Sequence, residues 1–212
     1  MNIACIAAFK MEIEWLLGEL SHPRRRKSPG LRMWVGGLGA HKVALFLCGM
    51  GPLKARKSLE KFAAVYTADR IFHLGVCGSL VEGIPRYQPV AASRVSASYE
   101  VSGGPIELEE HVKDELAELG SRCQIRNGHL LTHNRPVFSS RVRDELHRKF
   151  SATCVDMEAW EVAAFCRQKD IPLTIIKAVS DFADAKSAVD FVFHARRAAQ
   201  SAGQAVYSVI GK

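Results

Sequence analysis

The sequence predicts an α/β fold, a single domain spanning residues 1–212 around a central sheet. Short β-rich runs alternate with amphipathic stretches along the whole chain, which is the pattern of helices packed on a sheet. With 48% hydrophobic residues and only 8 Pro and 16 Gly in 212, the composition fills a core and leaves no low-complexity segment. No repeat or linker divides the chain.

The elements follow in order. Asn2–Ala8 reads as a buried strand and Met11–Leu20 as the helix after it. A basic, Pro-flanked loop over Ser21–Arg32 leads to β-rich Met33–Gly36 and the strand Val43–Cys48, which Gly49–Pro52 ends. Pro52 suits the first turn of a helix reaching about Tyr66. Arg70–Leu74 is the next buried strand, followed by a Gly-containing loop, Gly75-Val-Cys-Gly78. Gln88–Val101 is β-rich, and Glu107–Leu119 reads as a helix stopped by Gly120. Ile125–Thr132 is a strand, Ser139–Phe150 a charged surface helix, Thr153–Val155 a short strand and Glu158–Gln168 an apolar helix. Pro172–Val179 is a strongly β-branched strand, and Ser187–Ile210 a long helix.

Charge and cysteine usage exclude several classes. The net charge of +7 is concentrated: Arg24, Arg25, Arg26, Lys27 and Arg32 account for five of the seven, with no acid between Ser21 and Arg32. Such a run, with no interleaved aromatics, reads as a solvated loop rather than a nucleic-acid footprint. No apolar run approaches the roughly 18 residues of a membrane span, and the apolar start meets Lys10, Glu12 and Glu14 too soon for a secretory signal. Six scattered cysteines, without a Cys-x-x-Cys pair, argue against disulfides and zinc; Cys5, Cys48 and Cys154 read as core in a reducing compartment.

Ligands in α/β sheets bind beyond the carboxyl ends of strands, and four strands here end in suggestive chemistry. These are Glu12, the Gly75–Gly78 segment, Asp156-Met157-Glu158, and Ser180-Asp181. Singly, each acid has an ordinary role: Glu12 and Glu14 in a first helical turn, Asp156 as a helix cap, Asp181 and Asp184 in a turn. His73 reads as a packed strand histidine, and His111, His133 and His147 as surface residues. Together, three separated carboxylates beside a Gly segment would give one cleft a base, an acid and a diol binder.

Four segments carry a resemblance. They are Ile3-Ala-Cys-Ile-Ala-Ala-Phe-Lys-Met-Glu12-Ile-Glu, Leu74-Gly-Val-Cys-Gly-Ser-Leu80, Val155-Asp-Met-Glu-Ala159 and Lys177-Ala-Val-Ser-Asp-Phe-Ala-Asp184. In these words and their order the chain resembles the nucleoside phosphorylase/nucleosidase superfamily, in its methylthioadenosine/S-adenosylhomocysteine nucleosidase-like branch. The resemblance implies a three-layer αβα domain with a mixed, twisted sheet, working without metal or organic cofactor. It implies a purine nucleoside substrate, a homodimer and a cytoplasmic setting.

Cleavage of an N-ribosidic bond passes through an oxocarbenium-like sugar and needs a leaving-group acid, a nucleophile opposite it and a grip on the ribose. The resemblance gives Asp181 the role of acid toward purine N7, supported by Ser180. Glu158 would accept hydrogen bonds from the ribose 2′- and 3′-hydroxyls, with Met157 against the sugar. Glu12 would activate water, and Gly75, Val76, Cys77 and Gly78 would approach base and sugar through their backbone. Phe138 would stack near the purine, flanked by Arg135 and Pro136.

A carboxylate at Glu12 suits water and repels phosphate, which favours hydrolysis over phosphorolysis. The alternative is a phosphate-dependent phosphorylase, with Arg24–Lys27 or Arg32 folding back to bind phosphate. Val-Asp-Met-Glu is similar to the hopanoid-associated phosphorylase-like subgroup, which acts on an adenosylated lipid. Lys177 stands where the family usually has Arg, and Asp156 where it has Glu. From another class, a non-catalytic binding module or an RNA-binding protein using the basic loop remain open.

Overall fold

A computed structural model describes residues 1–102, 104–108 and 125–211. Its strands are β1 (Asn2–Ala7), β2 (Ser21–Ser28), β3 (Leu31–Leu38), β4 (His41–Leu47), β5 (Arg70–Ser79), β6 (Pro89–Ala97), β7 (Ile106–Glu107), β8 (Arg126–Thr132), β9 (Cys154–Asp156) and β10 (Leu173–Asp181). Its helices are α1 (Lys10–Glu19), α2 (Pro52–Ala63), α3 (Ser140–Phe150), α4 (Ala159–Lys169) and α5 (Ser187–Ile210).

β1 is buried from Ile3 onward because it lies between two parallel neighbours, β4 and β5, and has helices on both faces. Ala55, Leu59 and Phe62 of α2 and Val162 and Cys166 of α4 pack against one face. Ile13 and Leu16 of α1 and Ala205, Val206 and Ile210 of α5 pack against the other. The three-layer αβα arrangement with a mixed sheet is therefore borne out.

The sheet runs β10-β6-β8-β9-β5-β1-β4-β3-β2, with β7 added to β6. It also closes on itself. β10 pairs with β5 in parallel and with β6 antiparallel, so β10, β6, β8, β9 and β5 form a ring. The ring brings the ends of β5, β9 and β10 together, and β1 delivers α1 to the same edge.

Several elements differ from the sequence reading. The basic Ser21–Arg32 segment is not a loop; it forms β2 and the start of β3, paired antiparallel from Ser28↔Leu31 back to Ser21↔Gly37. Only β3 carries the inward alternation, through buried Leu31 and Met33, whereas β2 is an exposed edge whose cations discourage pairing with another chain. Gly75–Gly78 is also not a loop. The ladder to β10 holds it in β5, with Lys177 opposite Gly75 and Asp181 opposite Gly78. Glu107 belongs to β7 rather than opening a helix. The rest of the expected Glu107–Leu119 helix, and with it His111, falls almost wholly outside the described residues. β10 extends two residues beyond Val179, so Ser180 and Asp181 are strand residues. The α5 bounds agree with expectation, and no described helix is long and apolar enough to cross a membrane.

Candidate active site

A cavity of about 420 Å³ opens where β5, β9 and β10 end. Glu12, Val76, Cys77, Gly78, Phe138, Met157, Glu158, Ser180 and Asp181 all line it, as do Arg135 and Pro136. Of the residues expected there, Gly75 alone does not reach the surface, because it lies beneath Glu12.

Glu12 is buried in the first turn of α1, and three backbone N–H groups fix its carboxylate. Oε2 accepts from Ala8 at 2.8 Å and Phe9 at 2.9 Å; Oε1 accepts from Val76 at 3.0 Å. Glu12 therefore both caps its own helix and ties β1 to β5, the ordinary role and the active-site placement being compatible. A carboxylate has about four acceptor sites, so one remains for a ligand or water. Gly75 makes the arrangement possible: a Cβ there would collide with the Glu12 carboxylate, and its φ of +148° lies where side chains are rarely tolerated.

Glu158, at the N-terminus of α4, is 5% exposed, and its Oε1 accepts from the Gly51 N–H at 2.7 Å. Gly51 holds φ at +91° before Pro52 opens α2, which turns that N–H toward the cavity. Burial, reinforced by the neighbouring Asp156 charge and opposed by Lys177, raises the Glu158 carboxyl to about 8.

Asp181 ends β10. Its Oδ2 accepts from Ser180 Oγ at 2.7 Å and its Oδ1 from the Ala183 N–H at 3.0 Å. Burial raises its pKa above the ordinary value, and these donors only partly offset that. A carboxyl so placed favours the protonated form a general acid requires. Gly78 lets it lie flat on β5, since a Cβ there would be 3.0 Å from Oδ1.

Asp156 sits deeper. Both its oxygens accept from the Ala159 N–H, at 3.0 and 3.2 Å, and Oδ1 accepts from Thr132 Oγ1 at 2.9 Å; the N-cap position of α4 is Glu158 rather than Asp156, which instead satisfies the first helical N–H from two residues further back. Its Oδ2 also lies 3.2 Å from the Lys177 ammonium and 3.7 Å from His73 Nε2. Burial works against its charge, but Lys177 and His73 outweigh that and hold its pKa at about 2. Asp184 serves a turn: it accepts from the Lys186 N–H at 2.8 Å.

The histidines that are described keep to bland roles. His73 is fully buried with Nδ1 3.0 Å from the Ile6 carbonyl, and burial with the nearby Lys177 charge lowers its pKa. His133 meets Ser98, and His147 meets the Ala152 carbonyl.

Sequence reasoning missed the aromatic and aliphatic walls, Phe9, Met50 and Phe191, and the roles of Gly51, Thr132 and Lys177. Phe9 and Phe191 meet edge to face with centroids 6.2 Å apart. The Gly49-Met-Gly-Pro52 run at a strand end was the available signal for Gly51. The Arg24–Lys27 run does not reach the cavity, and Arg135 is its sole cationic lining residue among those described.

The fold and site thus define an α/β protein with a cleft in which buried carboxylates from separate helices and strands converge on one small-molecule space. The family model of the phosphorylase superfamily matches residues 2–211, and the chain belongs to that superfamily. It is 27% identical to the 5'-methylthioadenosine/S-adenosylhomocysteine nucleosidase of Mycobacterium bovis, with 90% of this chain and 89% of the relative covered. It is 26% identical to the enzyme of the same name from Bacillus thuringiensis, with 90% of each covered. Among solved structures, a futalosine hydrolase mutant of Helicobacter pylori superposes with a TM-score of 0.93 at 17% identity, covering 99% of this chain and 98% of that one. The nucleosidase of Neisseria meningitidis superposes with a TM-score of 0.90 at 23% identity, covering 99% and 98%.

Proposed function

We propose that the protein is a nucleosidase that hydrolyses the N-ribosidic bond of a purine nucleoside, with adenine as the base, as in methylthioadenosine or S-adenosylhomocysteine. The observation that carries this reading is that Glu12, Glu158 and Asp181, drawn from distant parts of the chain, line one cavity. The nucleosidase relatives support it, since they align over nine-tenths of the chain.

In this reading Asp181 donates its proton to N7 of the purine, and the N9–C1′ electron pair leaves with the base. Water attacks C1′ from the opposite face and gives its proton to Glu12. Glu158 accepts from the ribose hydroxyls, while Met157 and the aromatic walls enclose sugar and base. No residue is required to hold a metal or organic cofactor.

Hydrolysis is favoured over phosphorolysis because the only described cation lining the cavity, Arg135, is exposed at its rim, whereas Glu12 presents negative charge where phosphate would enter. Incubation with 5′-methylthioadenosine in phosphate-free buffer should release adenine at a rate that added phosphate does not raise. Release that requires phosphate would assign phosphorolysis instead.

The apolar surface of α5, with Val192 76% and Phe193 74% exposed, supports a homodimer, and light scattering should return twice the mass of the chain. The buried free thiols of Cys5, Cys48, Cys77, Cys154 and Cys166 support a reducing, cytoplasmic setting.

A further inference from the structure

Behind the cavity floor lies a fully buried cation that the proposed chemistry does not use. Lys177 is 1% exposed and lines no part of the cavity; its Nζ has no hydrogen-bond partner of good geometry and stands 3.2 Å from Asp156 Oδ2. On the sheet it lies opposite Gly75, the residue over which the Glu12 carboxylate rests. The groups facing it come from five directions: Asp156 on β9, Glu158 at the start of α4, Glu12 on α1, Cys48 after β4 and His73 on β5.

Asp156 is the hinge between this cation and the cleft. Its carboxylate closes the turn Asp156-Met157-Glu158-Ala159 by accepting from the Ala159 N–H, and it orients Thr132, whose Oγ1 accepts from the Trp160 N–H at 2.8 Å. The two residues inside that turn, Met157 and Glu158, line the cavity, as does Asp156 at its start. A buried carboxylate accepting several hydrogen bonds must stay ionised to do so, and without a counter-charge it would take up a proton instead.

We propose that Lys177 is a positioning residue for Glu158: by keeping Asp156 ionised from behind the floor, it fixes the turn that presents Glu158 to the ribose hydroxyls. The proposal rests on the reading of Glu158 as the diol-binding group. Its distinctive consequence is selectivity. A substrate without the diol makes no use of Glu158 and should be indifferent to Lys177, whereas general loosening of the fold would slow all substrates alike.

The test compares Lys177→Met, Lys177→Arg and Asp156→Asn on adenosine and on 2′,3′-dideoxyadenosine, each relative to the unsubstituted protein. Lys177→Met should raise KM for adenosine by about ten-fold or more, the scale of one lost charge-assisted hydrogen bond, and change that for the dideoxy compound by less than about two-fold. Lys177→Arg, which keeps the charge, should recover most of the loss, and Asp156→Asn should reproduce the Lys177→Met pattern. If Lys177→Met does not fold, the double variant Lys177→Met/Asp156→Asn removes both charges without stranding either and carries the same comparison. Equal losses on both nucleosides would overturn the proposal.

A second readout needs no turnover. Carbon-13 NMR of the Glu158 carboxyl in the unliganded protein should place its titration near 8, and Lys177→Met or the double variant should displace it and its chemical shift. An unmoved Glu158 signal would overturn the proposal even if neither nucleoside is cleaved, whereas a shifted signal with no cleavage of these or of 5′-methylthioadenosine would sustain the coupling and remove the nucleosidase reading.

Discussion

Asp181→Asn is expected to slow adenine release by about 10²–10⁴-fold, the usual contribution of a positioned general acid, while leaving the melting temperature within about 2 °C. The small structural effect follows from geometry. Asn keeps the Oδ1 that accepts from the Ala183 N–H and can still meet Ser180 Oγ, so the β10 terminus is not released. What it lacks is a proton to give up. Burial of Asp181 holds that proton to higher pH than an exposed carboxyl would, so activity should fall on the alkaline side as Asp181 ionises, and the residual activity of the Asn variant should lose that limb. Steady-state rates from pH 5 to 9 for both proteins check this. A variant that retains full activity would remove Asp181 from the chemistry.

Glu158→Gln should change activity and stability in opposite directions. Above pH 8, where the parent carboxyl is ionised, the amide accepts through one oxygen and carries no charge, so kcat/KM there should fall by about 10–100-fold, the value of a hydrogen bond to a charged acceptor. Stability follows from the raised carboxyl, about 8 in the folded protein against an unfolded value near 4.5. Because the folded state holds this proton more tightly, its contribution is fully present below the unfolded pKa and is lost as pH rises through about 8. At pH 9 the native protein therefore carries an ionised, buried Glu158 at a cost on the order of a few kcal/mol. The Gln variant avoids that cost and can still accept from the Gly51 N–H, so it should melt higher than the parent at pH 9 and close to it at pH 5. Thermal melts at the two pH values decide it, and a variant less stable at both would contradict the assignment.

The parts of the molecule that were legible in the sequence are those where burial writes a one-dimensional signal. β1 and β10 are apolar because they are enclosed on both faces, and α5 shows a long run with helical spacing. β2 was not legible, since every one of its side chains from Ser21 to Lys27 faces solvent and its strand character comes only from pairing with β3. Gly75–Gly78 read as a loop for a similar reason: glycine disfavours strands locally, and the ladder to β10 overrides that preference. The acids of the candidate site were found because they follow strands in sequence. Lys177 lies inside a strand and acts sideways, across the ladder, so nothing short of three dimensions reveals its partner.

Closure of the sheet through β10 also bears on how the protein comes into being. β10 supplies Asp181, flanks β5 and β6 at once, and is encoded after every other strand described, so the cleft is unfinished until residues 173–181 have threaded into place. Contacts this distant along the chain form slowly. If Asp181 is the acid proposed above, a nascent chain still tethered near residue 170 would hold Glu12 and Glu158 but lack the group that protonates the leaving base.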